Sequence, residues 1–309
     1  MKYVYGPVPS RRLGQSLGVD LVPSKTCNFQ CIYCQLGKTT NLTNERRNYY
    51  PKNAILSELK QNIEKNRDDF DYITFVGSGE PTLYKDLKEL ILKTKQISNK
   101  PICVITNGSL LGNDEVKEAL MLTDVVLPSL DAGDEKSFIS INRPHPSIKY
   151  NSVIRGLIDF KRDFKGQYCI EIMLIKGIND SKEELLKIKK KMDLIKPDRI
   201  DINVPIRPPT ENWVEIPTKN VLSLVREIYG KYYDITYPEK GKFGTYSLDF
   251  EKELITIIER HPMRQEQIIE TFKSDNLRKE DIIEKLNVLK LEKKICKVVY
   301  NNQIFWKLN

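Results

Sequence analysis

The chain has 309 residues, 40% of them hydrophobic and 30% charged, with a formal net charge of +8; that is enough apolar material for one large or two modest cores, and it excludes disorder. No apolar run approaches the roughly 18 to 20 residues that span a bilayer, and the opening Met1-Lys2-Tyr3-Val4-Tyr5-Gly6-Pro7 lacks the apolar stretch of a signal peptide. Six cysteines without a secretion signal point to the cytoplasm, a reducing compartment where clustered thiols serve metals or redox chemistry.

In chain order, residues 1–60 hold nine Lys/Arg against three Asp/Glu, residues 61–249 hold 29 against 29, and residues 250–309 hold 12 against 10. The N-terminal surplus includes Arg11, Arg12, Lys25, Lys38, Arg46 and Arg47. It reads either as a solvated basic face or as a landing surface for an anionic substrate or an acidic redox partner.

A first strand is predicted over 18–22, followed by apolar, β-rich runs at 72–76, 102–106, 125–127, 169–175 and 200–204. Between them, 53–65, 84–97, 151–162, 181–193 and 218–230 carry helix formers with apolar residues three and four apart. Six such β/α units in roughly 215 residues predict a parallel sheet wrapped by helices, an open partial barrel rather than the full eight-fold one. In such a sheet the loops after the strands' carboxyl ends form the reaction face. The Pro/Gly-bearing stretch 237–244 marks a boundary, dividing the chain into 1–240 and 245–309. Beyond it, 250–260, 264–272 and 279–290 read as amphipathic helices and 295–300 with 303–308 as a hairpin, which together suggest a small winged-helix-like domain.

Two motifs carry chemistry. Cys27-Asn28-Phe29-Gln30-Cys31-Ile32-Tyr33-Cys34 sets three thiols at spacings of four and three just after the first strand. Three thiolates on a four-iron cluster leave one iron open to a further ligand; the competing reading is a zinc knuckle, although no histidine lies in this loop. The second motif, Gly77-Ser78-Gly79-Glu80-Pro81, follows the second strand, where glycines permit a tight turn and close approach to a ligand, and a carboxylate beside exposed carbonyls holds an ammonium group. Cys103 and Cys169 sit inside apolar strand runs and Cys296 in the hairpin, so core packing accounts for them.

The C-x3-C-x2-C run, with an aromatic residue before its last cysteine, resembles the signature of radical S-adenosylmethionine (SAM) enzymes. The resemblance implies a [4Fe–4S] cluster on Cys27, Cys31 and Cys34, with SAM chelating the remaining iron. It further implies reductive cleavage of SAM to a 5′-deoxyadenosyl radical that abstracts a substrate hydrogen, fed by an electron donor such as flavodoxin or ferredoxin. In that family the second motif looks like the "GGE" element that binds the methionine amino group, here Gly77, Ser78, Gly79 and Glu80, with Ser78 in place of the usual glycine. By the same resemblance, Asn107 after the third strand and Ser129 and Asp131 after the fourth suit the ribose hydroxyls and the methionine carboxylate, and the edge at 173–179 suits the adenine. The segment from Tyr5 to Gly14 and the residues after Cys34 resemble an iron–sulfur oxidoreductase subgroup related to the radical enzymes of wybutosine synthesis on tRNA. The substrate expectation is a macromolecule, RNA first, because the basic segment flanks the cysteines. The alternatives are a polypeptide gripped by the winged helix and, from a different class, a DNA-binding regulator that senses redox state through its cluster.

Overall fold

The chain opens with an antiparallel hairpin that the apolar pattern did not announce: β1 (Val4–Ser10) pairs with β2 (Gly14–Val19). These assignments come from a computed structural model, which describes residues 2–66, 69–239, 243–245, 249–274 and 276–309. After β2 come the two-residue strands β3 (Thr26–Cys27) and β4 (Asn41–Leu42), which pair with each other. Then follow α1 (Lys52–Lys65), β5 (Tyr72–Phe75), α2 (Leu87–Ile97), β6 (Ile102–Thr106), α3 (Asp114–Leu120), β7 (Val125–Pro128), α4 (Glu135–Asn142) and α5 (Tyr150–Asp163). The series ends with β8 (Gln167–Met173), α6 (Lys182–Ile195), β9 (Arg199–Asn203), α7 (Lys219–Tyr229) and β10 (Tyr233–Asp234). One eight-stranded sheet runs β1-β2-β5-β6-β7-β8-β9-β10, parallel from β2 onward.

The sheet is an open, curled half-barrel, and the alternation of residues along its strands shows why. Leu17, Ile73, Phe75, Val104, Val126, Ile170 and Ile202 point outward into the main core beneath the helices. Their neighbours Ser16, Thr74, Ile105, Glu171 and Asn203 point the other way and line a single cavity, although they come from strands spread across the sheet order. Only a concave inner face brings them together. The lower end of that face is filled by Leu13 of the first hairpin, which packs on Cys103, Val125, Leu127 and Cys169.

The first strand lies at Gly14–Val19 instead of 18–22, because its inward positions are the small or polar Ser16 and Gly18 and so break the apolar run. The fifth predicted strand stops at Met173 instead of 175, where the Asn179 side chain accepts from the Ile175 amide and donates to the Met173 and Asp131 carbonyls. Helices α3 and α4, of seven and eight residues, are too short for a periodic signal, yet each starts at a side-chain cap, Asn113 accepting from Val116 N–H and Asp134 from Ser137 N–H.

The C-terminal residues form α8 (Phe250–Ile258), β11 (Met263–Arg264), α9 (Gln265–Phe272), α10 (Lys279–Leu291), β12 (Ile295–Tyr300) and β13 (Gln303–Leu308), with an antiparallel sheet in the order β11-β13-β12. Their core gathers Leu254, Ile257, Ile268, Ile282, Leu286 and Trp306, and it also takes in Tyr5 and Val8 of β1. The boundary expected at 237–244 lies partly outside the described residues, which resume at Phe243; Gly244 N–H donates to the Pro7 carbonyl at 2.7 Å.

Candidate functional site

At the carboxyl end of the half-barrel, Cys27, Cys31 and Cys34 line one wall of a cavity of about 320 Å³. Their loop is pinned from two sides. On one side, Lys25 N–H donates to the Ser78 carbonyl and Glu80 N–H to the Thr26 carbonyl; on the other, Gln30 N–H and Ile32 N–H donate to carbonyls at the end of α4. Asn107 Nδ2 lies 3.8 Å from Cys27 Sγ and Asn142 Nδ2 3.5 Å from Cys31 Sγ, so two of the three sulfurs receive an amide donor. Burial pushes the Cys27 thiol up to about 12, with the Glu80 carboxylate adding to the shift, and burial likewise raises Cys31 and Cys34. Without a metal these are protonated thiols.

The donor set fits a four-iron cluster. Each iron of such a cluster takes one thiolate, so the ligands are spread around it, whereas a single ion needs its donors converged. Among the described residues no three His, Cys, Asp or Glu side chains converge on a single-ion site, while the three thiols share one cavity wall.

The turn at 77–81 shares the cavity, which Gly77, Ser78 and Gly79 line. A side chain at Gly79 would put its Cβ 1.9 Å from the Thr26 carbonyl, and one at Gly77 would meet Asp20 at 2.1 Å, so both glycines are required by close approach. Ser78 turns away from the opening: its Oγ donates to Asp20 Oδ2 at 2.8 Å. Glu80 is buried with its carboxylate fully engaged. Its Oε1 accepts from Thr82 N, Thr82 Oγ1 and Thr106 Oγ1, and its Oε2 from Asn107 N at 2.8 Å. Burial raises its pKa in spite of these donors. Glu80 therefore braces the turn against the end of β6.

The other residues expected around SAM stand one layer back. Asn107 Nδ2 donates to Asn28 Oδ1 at 2.6 Å and its Oδ1 accepts from Ser109. Half-buried Ser129 extends β7 by a bridge to Glu171. Asp131 accepts from Tyr33 Oη at 2.6 Å, Asn142 Nδ2 at 2.8 Å and Met173 N at 2.9 Å, so it supports the cysteine loop from beneath. Burial lifts its pKa to about 6 against those three donors.

The basic N-terminal segment does not form a surface. Among the six cations that suggested one, Lys38 and Arg47 are exposed. Arg46 is tied to Glu115 and to the carbonyls of Thr82, Tyr84 and Lys85. Arg11, Arg12 and Lys25 line the cavity. Arg12 pairs with Glu171, and Arg11 donates through Nη1 to Asn203 Oδ1 at 2.7 Å and to the Ile235 carbonyl. The charge of these arginines is legible in the sequence, but their direction is not, because it depends on partners about 160 to 220 residues away.

The cavity also holds Glu239, Arg260 and His261, which sequence reasoning did not single out, beside Arg207 from the loop after β9, which its strand-end position already put on this face. The Arg207 guanidinium sits 2.6 Å from Glu239, and Gln267 Nε2 donates to the same carboxylate oxygen. Arg260, just past α8, reaches Asp20. A lone histidine or an arginine in a polar loop carries no local signal. Glu171 did carry one, as a charge in the middle of an apolar strand run.

The family model described as the radical SAM superfamily matches residues 21–188. The protein named GTPase Obg of Brachyspira hyodysenteriae is 41% identical over 290 residues, which cover 92% of this chain and 42% of that protein, so the chain spans less than half of that relative. A UPF0026 protein of Methanocaldococcus jannaschii is 34% identical over 315 residues, all of this chain and 97% of the relative. Among solved structures, SuiB of Streptococcus suis bound to S-adenosylmethionine is similar with a TM-score of 0.53 at 18% identity, over 72% of this chain and 50% of that one, a likeness of fold.

Proposed function

The chain belongs to the radical SAM superfamily, and from that membership we infer an enzyme whose [4Fe–4S] cluster and SAM occupy the cavity beneath Cys27, Cys31 and Cys34. The observation that carries this reading is that three thiols of one eight-residue loop line the same cavity as the turn Gly77-Ser78-Gly79. When bound, the cluster and SAM together supply one-electron cleavage of SAM and abstraction of a hydrogen atom from the substrate.

The chain's own residues divide the remaining work. The three cysteines hold the cluster and leave one iron free of protein ligands. Gly77 and Gly79 let the backbone approach the methionine end of SAM, with Glu80 keeping that turn in register and Ser78 tying it to Asp20. Asn107 and Asn142 donate to the sulfurs of Cys27 and Cys31 and so favour their charged form. Asp131 orients Tyr33 and Asn142, and Ser129 keeps β7 joined to β8; these residues position the site rather than touch the cofactor.

Superfamily enzymes need an outside electron donor, and a flavodoxin or ferredoxin in the cytoplasm suits a chain of six free cysteines. We divide the chain into a partial barrel over 1–240 and a winged-helix-like unit over 245–309, because its elements follow the order helix, strand, helix, helix, strand, strand. A macromolecular substrate, RNA or polypeptide, is the second reading; its polypeptide form is favoured by the outer edge of β12, whose one strand partner among the described residues is β13. The test is anaerobic reconstitution of the full chain. About four irons per chain and reductant-dependent release of 5′-deoxyadenosine from SAM are expected, and failure of the native protein to bind SAM would overturn the reading.

A further inference from the structure

Beyond the thiols and the 77–81 turn, the same cavity carries a second set of groups to which the cofactor assignment above gives no role. Arg11, Arg12 and Arg207 face it together with two carboxylates, Glu171 and Glu239. Arg12 is paired with Glu171 and Arg207 with Glu239. Arg11 has no carboxylate partner among the described residues; its two acceptors, the Asn203 side-chain oxygen and the Ile235 carbonyl, are neutral and occupy only Nη1. Its Nε and Nη2 donors have no protein acceptor there. Burial, with Arg12 and Arg207 close by, pulls the Arg11 pKa down to about 9, although Glu171 and Glu239 act to raise it. A half-buried guanidinium beside two others favours an anion that completes it.

Two further atoms point to the same missing ligand. Glu239 is buried, its side chain 3% exposed, yet among the described residues its Oε2 meets no donor, and the Nδ1 of His261 is equally shielded and finds no partner there. Both residues line this cavity. Native interiors seldom leave such atoms unsatisfied without a ligand, an ion or water to serve them.

We propose that this part of the cavity is the substrate subsite, and that it takes a small molecule by an oxyanion group, carboxylate or phosphate, held by Arg11 and Arg207. A hydroxyl or amino group on the same molecule donates to Glu239 Oε2 and lies against His261. The proposal deepens the radical SAM reading, on which it rests, by naming the substrate class for the same cavity.

The test uses the full, anaerobically reconstituted protein with SAM. Inorganic phosphate, malonate and malate are titrated against chloride at matched ionic strength, with binding read by calorimetry and by Tm. Saturable binding of phosphate or of the carboxylates is expected, and the tighter of the two identifies the source of the oxyanion. R11Q should weaken that binding at least about tenfold, the value of a lost charge-assisted hydrogen bond. R162Q, which removes an exposed charge from α5, should leave it unchanged. E239Q should erase any preference for malate over malonate. Should R11Q fail to fold because the first hairpin loses its tie to Asn203, R207Q leaves that hairpin alone and must show the same loss. The subsite is overturned if none of the anions binds saturably, or if folded R11Q and R207Q bind them as the native protein does. Iron content and SAM affinity are measured on the same samples: if those fail while the anion binds, the cofactor reading falls and the subsite stands.

Discussion

Arg260 holds its Nε 3.3 Å from Asp20 Oδ2, the oxygen that also accepts the Ser78 hydroxyl. A residue just past α8 thus stands behind the 77–81 turn, 240 positions from its partner. Arg260 also donates to the Lys2 carbonyl at 2.9 Å and lies over the Tyr5 ring, which itself covers Gly18 so closely that a Cβ there would sit 2.3 Å from it.

The first prediction follows from that link. R260Q leaves Asp20 buried without its cation, which costs about 3 to 5 kcal/mol, and it should loosen the 77–79 turn. SAM affinity should drop about fivefold to tenfold while iron content holds, read by equilibrium dialysis and denaturant unfolding. Removal of residues 245–309 should then impair SAM cleavage as well as substrate modification. A truncated, folded protein that cleaves SAM at the native rate would dissociate the two units.

A second prediction concerns the sulfurs. Alanine at Cys27, Cys31 or Cys34 should each abolish the visible charge-transfer absorption after anaerobic reconstitution. Alanine at Cys103 or Cys169, both buried against Leu13 in the lower barrel, should keep the iron and lose about 1 to 2 kcal/mol of stability by the cavity it leaves. Equal iron in the native and C31A proteins would remove the cysteine loop from the metal site.

Glu80 supplies the third. Three donors on Oε1 and one on Oε2 leave no place for the NH2 of a glutamine, which would face another donor wherever it turned. E80Q should therefore weaken SAM binding about as much as E80A, with the cluster retained in both. If E80Q bound SAM normally, the carboxylate would be neither brace nor ligand.

The fourth concerns pH. Burial, with Arg207 beside it, drives the His261 pKa from its ordinary 6.5 to about 3. Between those values the unfolded chain holds a proton that the folded chain refuses, so this residue makes stability fall as pH drops from about 6.5 through 3. Asp131, raised to about 6, acts in the opposite sense over its own range, but it is common to native and variant. The Tm of the native protein minus that of H261Q should therefore decline steadily from pH 7 to pH 4. A difference independent of pH would mean that His261 titrates normally.

What the chain disclosed in advance depended on how local the physics was. Strands such as Ile102–Thr106 announce themselves because β-branched residues face a core on one side and neighbours on the other, and the hairpin at 295–308 because its turn is polar. The cysteine loop and the 77–81 turn were readable because their chemistry is written within eight residues. Gly14–Val19 was shifted because cavity-lining positions imitate a loop. Arg11 and Arg12 looked like surface charge, since only the folded half-barrel carries them to Asn203 and Glu171. Glu239 and His261 matter through distant contacts alone, and no window of sequence contains those.

Strand β1 serves two cores at once, Val4 facing the main one and Tyr5 and Val8 the C-terminal one. On the ribosome this imposes a delay. The apolar side of β1 must wait for partners between Phe243 and Trp306, and at 5 to 20 residues per second that interval is on the order of 10 to 60 s. Through it, the nascent chain carries an unpartnered apolar strand face, a segment suited to chaperone capture, until β13 is released.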